Sequence, residues 1–123
     1  MRKLKSKARV YAFDLDGILT NESGIPNFPN KSNEEIQQFY RTMTPNESNI
    51  EYVQQLYSTN EVFIKIFTAR SDYHHNTTVE WLQKHNVPYD RLIFNKEYYD
   101  VFIDDHAYNS YEDFLMGLTE RLK

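Results

Sequence analysis

Apolar residues occur in this chain in two arrangements, short unbroken runs and longer stretches in which they recur every third or fourth position. The unbroken runs are typical of buried strands, because both faces of such a strand contact other elements. Four of them predict strands, at 10–13, 62–67, 92–94 and 101–103.

The periodic stretches predict amphipathic helices. Two residue pairs have the spacing of a capping box and mark helix starts: Ser48 with Glu51, and Thr77 with Glu80. A further apolar stripe predicts a helix over 110–122. Strands that alternate with helices favour right-handed crossovers and a parallel sheet. We therefore predict an α/β fold, a single Rossmann-like domain over 1–123 with helices on both faces of an open parallel sheet.

The composition is consistent with this fold and excludes several classes of protein. With 123 residues the chain can bury one core but not two. The absence of cysteine excludes disulfide scaffolds, thiolate metal sites and cysteine nucleophiles. No apolar run is long enough for a membrane span or a secretory signal, so we expect a cytoplasmic protein without a membrane partner.

Charge is distributed unevenly along the chain. The net charge is −4, yet five basic residues fall within the first nine positions, so the remainder is strongly acidic. An acidic body cannot neutralise the phosphates of a polynucleotide, which argues against nucleic acid as a partner. We interpret the basic arm as a solvated terminus that leads into the first strand, with contact to an anionic surface as the alternative.

Residues able to do chemistry follow each predicted strand where it ends. In a parallel sheet these carboxyl ends lie along one edge and form the ligand crevice. The residues so brought together are Asp14, Asp16 and Gly17, then Thr68 and Arg70, then Lys96, and finally Asp104 and Asp105. Neighbouring carboxylates repel one another unless a cation neutralises them, and an all-oxygen set suits Mg²⁺. We predict that Mg²⁺ is held by Asp14, Asp16, Asp104 and Asp105.

A carboxylate nucleophile, a divalent metal, a lysine and a hydroxyl donor are the parts needed for phosphoryl transfer. Asp14 is the predicted nucleophile, and Asp16 the acid that protonates the leaving group and then activates water. Thr68 is expected to donate to the phosphoryl oxygens, and Lys96 to balance the negative charge.

Gly17 and Arg70 are the candidate substrate-binding residues. Arg70 has two interpretations, since it either binds a substrate anion or pairs with a carboxylate at the sheet edge. His74 and His75 likewise either face the substrate or are solvated in a loop.

The order Asp-x-Asp-Gly, Thr, Lys, Asp-Asp, each after an apolar run, resembles the haloacid dehalogenase superfamily of aspartate-nucleophile phosphatases. The resemblance extends over about 10–122. Within it, 67–70 and 102–110 are similar to a small branch found with bacterial sugar and capsular-polysaccharide biosynthesis. The resemblance implies a Mg²⁺-dependent hydrolase of phosphate monoesters, acting through an aspartyl-phosphate on a small molecule such as a phosphorylated sugar.

Three other functions are compatible with part of this residue pattern. A catalytically silent member of the same fold would bind a ligand without turnover. A nucleotide or polynucleotide phosphatase would share the chemistry but not the substrate. A receiver-like phospho-acceptor domain also combines acidic residues, Thr and Lys on a parallel sheet, but there a single Asp follows a mid-chain strand, where this chain has Thr68.

The segment 21–46 interrupts the alternation of strands and helices. It contains three of the four prolines and a possible short helix around 34–40. We predict a small flap or lid, with a surface insertion as the alternative. It is too short for a full cap domain, so the crevice is expected to be covered by the substrate, by this flap or by a second copy in a homo-oligomer. Tyr40 is expected either to belong to this cover or to pack in the core.

Overall fold

The computed structural model describes residues 2–24 and 30–97 of the chain. Three strands form one parallel sheet in the order β1 (Arg9–Asp14), β2 (Val62–Phe67) and β3 (Arg91–Ile93). The predicted strand at 101–103, the predicted helix at 110–122 and the pair Asp104 and Asp105 lie outside the described residues.

Three α-helices connect these strands. They are α1 (Asn33–Thr42) and α2 (Glu47–Ser58) between β1 and β2, and α3 (His75–Lys84) between β2 and β3. An irregular helical turn, Leu15–Leu19, follows β1, and a 3-10 turn, Asp72–His74, precedes α3. No helix within the described ranges is long and apolar enough to cross a membrane.

One face of the sheet carries the core. Val62, Ile64 and Ile66 of β2 are buried on that face, and residues of both α2 and α3 join the same apolar cluster. Burying each of these large side chains contributes about 2 kcal/mol. The next residues on β2, Phe63, Lys65 and Phe67, point to the opposite face and are only half-buried. Helices on both faces therefore stay a prediction, since the described helices α2 and α3 share one face.

Within the described residues the predicted strands and helices were correct in kind, but two helix starts were wrong. Helix α2 begins after Asn46, whose side chain accepts a hydrogen bond from the Asn49 amide at 3.1 Å, so Ser48 lies inside the first turn. Helix α3 begins at His75 and Thr77 is buried within it. In α2 the cap is an earlier residue than predicted, and α3 continues directly from the 3-10 turn Asp72–His74 without a side-chain cap.

The short helix predicted around 34–40 is confirmed as α1. Its capping box is Ser32 with Glu35, each side chain bonding the other residue's amide, at 3.1 and 3.3 Å. The ends of this excursion are fastened together at Thr20 and Pro45, which form an isolated antiparallel bridge. The amides of Asn21 and Asn46 reinforce the junction by donating to Thr44 and Leu19.

The interpretation of the basic arm as a solvated terminus is wrong for its first residue. The Arg2 guanidinium donates from Nε and Nη2 to the two oxygens of Asp90, at 2.8 and 2.9 Å, and lies 3.6 Å from the centre of the Tyr57 ring. The Ile64 amide also donates to Asp90, at 2.8 Å. The arm is thus fastened to the sheet, whereas Lys3, Lys5 and Lys7 are exposed.

We expect Arg2→Ala to lower the free energy of unfolding by about 3 kcal/mol, because removing one partner of a largely buried ion pair leaves the other uncompensated. Lys5→Ala is the matched control, since its pair with Glu61 is exposed and worth little. Denaturant unfolding at neutral pH measures both. Equal effects of the two substitutions would contradict a structural role for Arg2.

The same pair predicts a pH dependence. Hydrogen bonds from Arg2 hold the pKa of Asp90 below its usual value. The pair therefore stabilises the fold above the ordinary pKa of aspartate, and this contribution is lost as the pH falls through the lowered value. The difference between wild type and Arg2→Ala should shrink on acidification.

Candidate active site

The carboxyl ends of the three strands are level with one another. In the sheet register Asp14 lies beside Phe67, and Phe67 beside Ile93. The pairing continues beyond the strands, because the Thr68 amide donates to Ile93 at 2.9 Å and the Lys96 amide donates to Thr68 at 2.9 Å. The segments that follow β1, β2 and β3 therefore meet at one edge, as the sequence predicts.

The turn after β1 separates the two aspartates. Asp14 ends the strand, Asp16 is still extended, and Gly17 then takes the left-handed conformation, φ 86°. A residue with a side chain is strained in that conformation. The Gly17 amide donates to Thr20 Oγ1 at 2.9 Å, so it serves the turn itself. Its predicted contact with substrate remains a prediction.

Asp14 is paired with Lys96. The Lys96 ammonium lies 2.7 Å from Asp14 Oδ1, and the two side chains are 27% and 41% exposed. Because Asp14 is both charged and accessible, a ligand can reach it from solvent. The structure thus brings together the predicted nucleophile and the lysine predicted to balance its charge.

Asn95 makes this pairing possible. It has φ 61°, a left-handed conformation that asparagine tolerates better than most residues. Its amide donates to the Arg70 carbonyl at 2.9 Å. The chain turns here, and the next residue, Lys96, is the one that contacts Asp14.

Asp16 has a different environment from Asp14, although it is only two residues away. Arg70 donates to Asp16 Oδ1 from Nη2 at 2.7 Å and from Nε at 3.2 Å, and Thr68 Oγ1 donates to Oδ2 at 2.9 Å. The Asp16 side chain is 13% exposed and that of Arg70 only 1%. Of the two interpretations of Arg70, the structure displays the pairing with a carboxylate.

Arg70 is enclosed by the segment 21–46 and by α3. Its Nη1 donates to Thr78 Oγ1 at 3.1 Å, its Nη2 lies 3.1 Å from Met43 Sδ, and its guanidinium carbon lies 3.8 Å from the centre of the Tyr40 ring. Tyr40 is buried, so it packs in the core instead of covering a ligand. The described part of 21–46 is thereby in contact with the site, while its action as a lid stays a prediction.

The two histidines after β2 differ from each other. His74 is buried between Tyr40 and Tyr73, where burial and the nearby Arg70 cation lower its pKa. Its imidazole is therefore neutral near pH 7 and is not a solvated loop residue. His75 is exposed and its ring lies 5.4 Å from that of Phe94.

Two of the four predicted metal ligands, Asp14 and Asp16, lie within the described residues. Within 2–24 and 30–97, no three carboxylate or imidazole groups lie close enough to hold a metal ion. Asp14 offers a partly exposed carboxylate, the kind of oxygen donor that Mg²⁺ prefers, whereas both oxygens of Asp16 already accept hydrogen bonds. Asp14 therefore fits such an ion. Asp104 and Asp105, which complete the predicted set, lie outside the described residues.

Solved structures with a similar fold are known. A crystal structure of a protein target from Vibrio cholerae is 28% identical over 94% of this chain and 99% of that chain, with a TM-score of 0.64. Two structures of the Pnkp1/Rnl/Hen1 complex, one described as an RNA repair complex, are each 14% identical with a TM-score of 0.53, and the match spans 38% and 34% of their chains. No family model and no curated protein matches.

These likenesses establish the fold only. They and the three-stranded parallel sheet are compatible with a Rossmann-like fold. An activity has to be argued from the site itself.

Sequence reasoning missed the residues that support the predicted ones. Thr78 and Met43 contact Arg70, and Asn95 sets the turn before Lys96. Asparagine just after a strand was the one available signal, because it is the commonest residue other than glycine in left-handed turns. Thr78 gave no signal, since a threonine on a helix is usually only part of its surface.

We expect Asn95→Val to separate Lys96 from Asp14, because a β-branched residue is strained at positive φ by about 1–2 kcal/mol. Asn95→Gly should keep the pair. Asn86→Val is the matched control, since Asn86 also has positive φ, 56°, but lies at the end of α3. Crystal structures of the three variants measure the distance between Lys96 Nζ and Asp14 Oδ1. An intact pair in Asn95→Val would contradict this role.

Proposed function

We propose that this protein is a Mg²⁺-dependent phosphomonoester hydrolase that acts through an aspartyl-phosphate, on a phosphorylated sugar or a similar small metabolite. The observation that carries the proposal is that two neighbouring aspartates have different exposure and different cationic partners. Asp14 is accessible and paired with a half-exposed lysine, whereas Asp16 is enclosed by a buried arginine. The Asp14 carboxylate is accessible for attack on phosphorus. The Asp16 carboxylate is held in one position, as a group that transfers a proton in both steps of the reaction requires.

The reaction proceeds in two steps on these residues. A carboxylate oxygen of Asp14 forms a bond to phosphorus while the bond from phosphorus to the ester oxygen breaks. Asp16, which has first taken a proton from solvent at Oδ2 while the Thr68 hydroxyl turns from donor to acceptor, gives that proton to the ester oxygen. Water then attacks phosphorus, Asp16 takes a proton from it, and the bond to Asp14 breaks. Lys96 lies beside the attacked position and offsets the charge of the phosphoryl group.

Mg²⁺ would be held by Asp14 together with Asp104 and Asp105. Such an ion supplies charge that offsets the phosphoryl oxygens and keeps the ester in line for attack. The side chain of Asp16 has both oxygens occupied by Thr68 and Arg70, so it serves this ion less directly than the other three.

A small substrate is favoured over a polynucleotide by the position of the positive charge. Similarity to chains of an RNA repair complex makes a polynucleotide phosphatase the second candidate. The basic arm, however, precedes β1, and Asp14 ends it. A six-residue strand is about 20 Å long, so the arm lies at the opposite edge of the sheet from the site. It offers no phosphate contacts beside Asp14.

Asp14→Asn should reduce turnover of an aryl phosphate and of phosphorylated sugars at least 1,000-fold, on the order expected when a covalent catalyst is lost. Glu61→Gln is the control, because this exposed carboxylate precedes β2 at the other end of the sheet. Steady-state rates on both substrate types are the measurement. More than about a tenth of the activity remaining in Asp14→Asn would exclude the nucleophile assignment, and the absence of turnover in wild type would favour a silent binding module.

Removal of divalent ions should abolish turnover, and Mg²⁺ should restore it. Excess Ca²⁺ should inhibit, because its larger and looser coordination displaces the reacting groups. Rates are measured in chelator, then after each ion is added, with the unfolding midpoint recorded to show that the protein stays folded. Full activity of the metal-free protein would rule out the metal requirement.

A further inference from the structure

We propose that Arg70 is a positioning residue, which fixes the orientation of the Asp16 carboxylate for proton transfer and does not bind the substrate phosphate. This inference rests on the proposed function, since it assigns Asp16 the acid and base role. It replaces the expectation that Arg70 binds a substrate anion.

Asp16 is confined on three sides. Arg70 makes a two-nitrogen contact with Oδ1, and Thr68 Oγ1 donates to Oδ2. On the third side the backbone of segment 21–46 approaches so closely that a Cβ at Gly24 would lie 2.9 Å from Asp16 Cβ and 3.0 Å from Cγ. Real side chains do not approach this closely, so only glycine allows this arrangement. The carboxylate therefore has one well-defined position.

Arg70 itself is not free to turn toward a phosphate. The Arg70 side chain is 1% exposed, and its nitrogens already contact Asp16, Thr78 and Met43. The Tyr40 ring covers its face. Reaching a ligand would require breaking a buried ion pair and would leave the Asp16 carboxylate without its cation. Lys96 needs no such rearrangement, because it is already at the accessible carboxylate.

This arrangement suits a group that must act twice in one position. Asp16 protonates the ester oxygen when the bond to phosphorus breaks, and later accepts a proton from water as the aspartyl-phosphate is hydrolysed. A displacement of about 1 Å at such a group costs on the order of 100-fold in rate. The cost falls mainly on esters with poor leaving groups, because an activated phenolate departs without a proton.

The experiment compares Arg70→Lys and Thr78→Val on an alkyl phosphate and on p-nitrophenyl phosphate. Arg70→Lys keeps the charge but loses the two-nitrogen contact, and Thr78→Val removes one acceptor of the guanidinium with little change in shape. Thr77→Val is the matched control, since Thr77 is also buried on α3 but makes no hydrogen bond to Arg70. The midpoint of thermal unfolding shows that each variant is folded at the assay temperature.

We expect Arg70→Lys to lower kcat on the alkyl phosphate about 100-fold and on p-nitrophenyl phosphate less than 10-fold, with little change in KM. Thr78→Val should have a weaker effect of the same kind, and Thr77→Val none. Combined with Asp16→Asn, Arg70→Lys should add no more than about 3-fold, because both changes remove the same function. A raised KM, equal losses on both esters, or effects that multiply in the double variant would each overturn the proposal.

A structural measurement separates this inference from the proposed function. Crystal structures of Arg70→Lys and Gly24→Ala report whether the Asp16 carboxylate leaves its position beside Thr68. We expect it to move in both. An unmoved Asp16 in Arg70→Lys would disprove the positioning role even if the protein is a phosphatase, whereas a displaced Asp16 in a protein without turnover would disprove only the activity.

Discussion

Two carboxylates at one sheet edge repel each other, and the arrangement of this site follows from how that repulsion is offset. Asp14 pairs with Lys96 and Asp16 pairs with Arg70, and these two cations follow different strands. Arg70 follows β2 and Lys96 follows β3, so the two pairs form only when all three strands are in register. The electrostatics of the site thus depend on the geometry of the sheet.

The two pairs have different physical character because their surroundings differ. A pair between half-exposed side chains is weakened by water and by salt, so a competing anion can disturb it. A pair inside the protein loses its solvation once, on folding, and then resists change. The pair of Lys96 with Asp14 is the half-exposed one, and the pair of Arg70 with Asp16 is the buried one. The site therefore combines an ion pair that a ligand can rearrange with one that stays fixed.

Much of this could be predicted from the sequence. The strands were recognisable as unbroken apolar runs, and parallel topology then placed Asp14, Thr68 and Lys96 at one edge. The predicted bounds of β1 and β3 were each wrong by one residue, and those of β2 were correct. The helix starts at Glu47 and His75 were missed. Several capping residues precede α2 and the local sequence does not select among them, whereas α3 continues from a 3-10 turn without a side-chain cap.

The partners of Arg70 were beyond prediction for a related reason. The sequence favoured neither of the two interpretations of that residue, because its contacts are made by segment 21–46, by α3 and by Asp16 together. A buried cation is determined by contacts between distant segments, and these have no local pattern. Arg2 shows the same limit, since its partner Asp90 is 88 residues away.

The fastened base of the excursion has a consequence for how such a protein can change. Its ends meet at Thr20 and Pro45, so the chain leaves and re-enters the fold at one point. Doubling the length of such a segment costs only about 0.6 kcal/mol in chain entropy. Insertions at this point are therefore inexpensive, provided that the new segment still encloses Arg70. The junction is a site at which evolution or engineering can graft a larger domain without rebuilding the sheet.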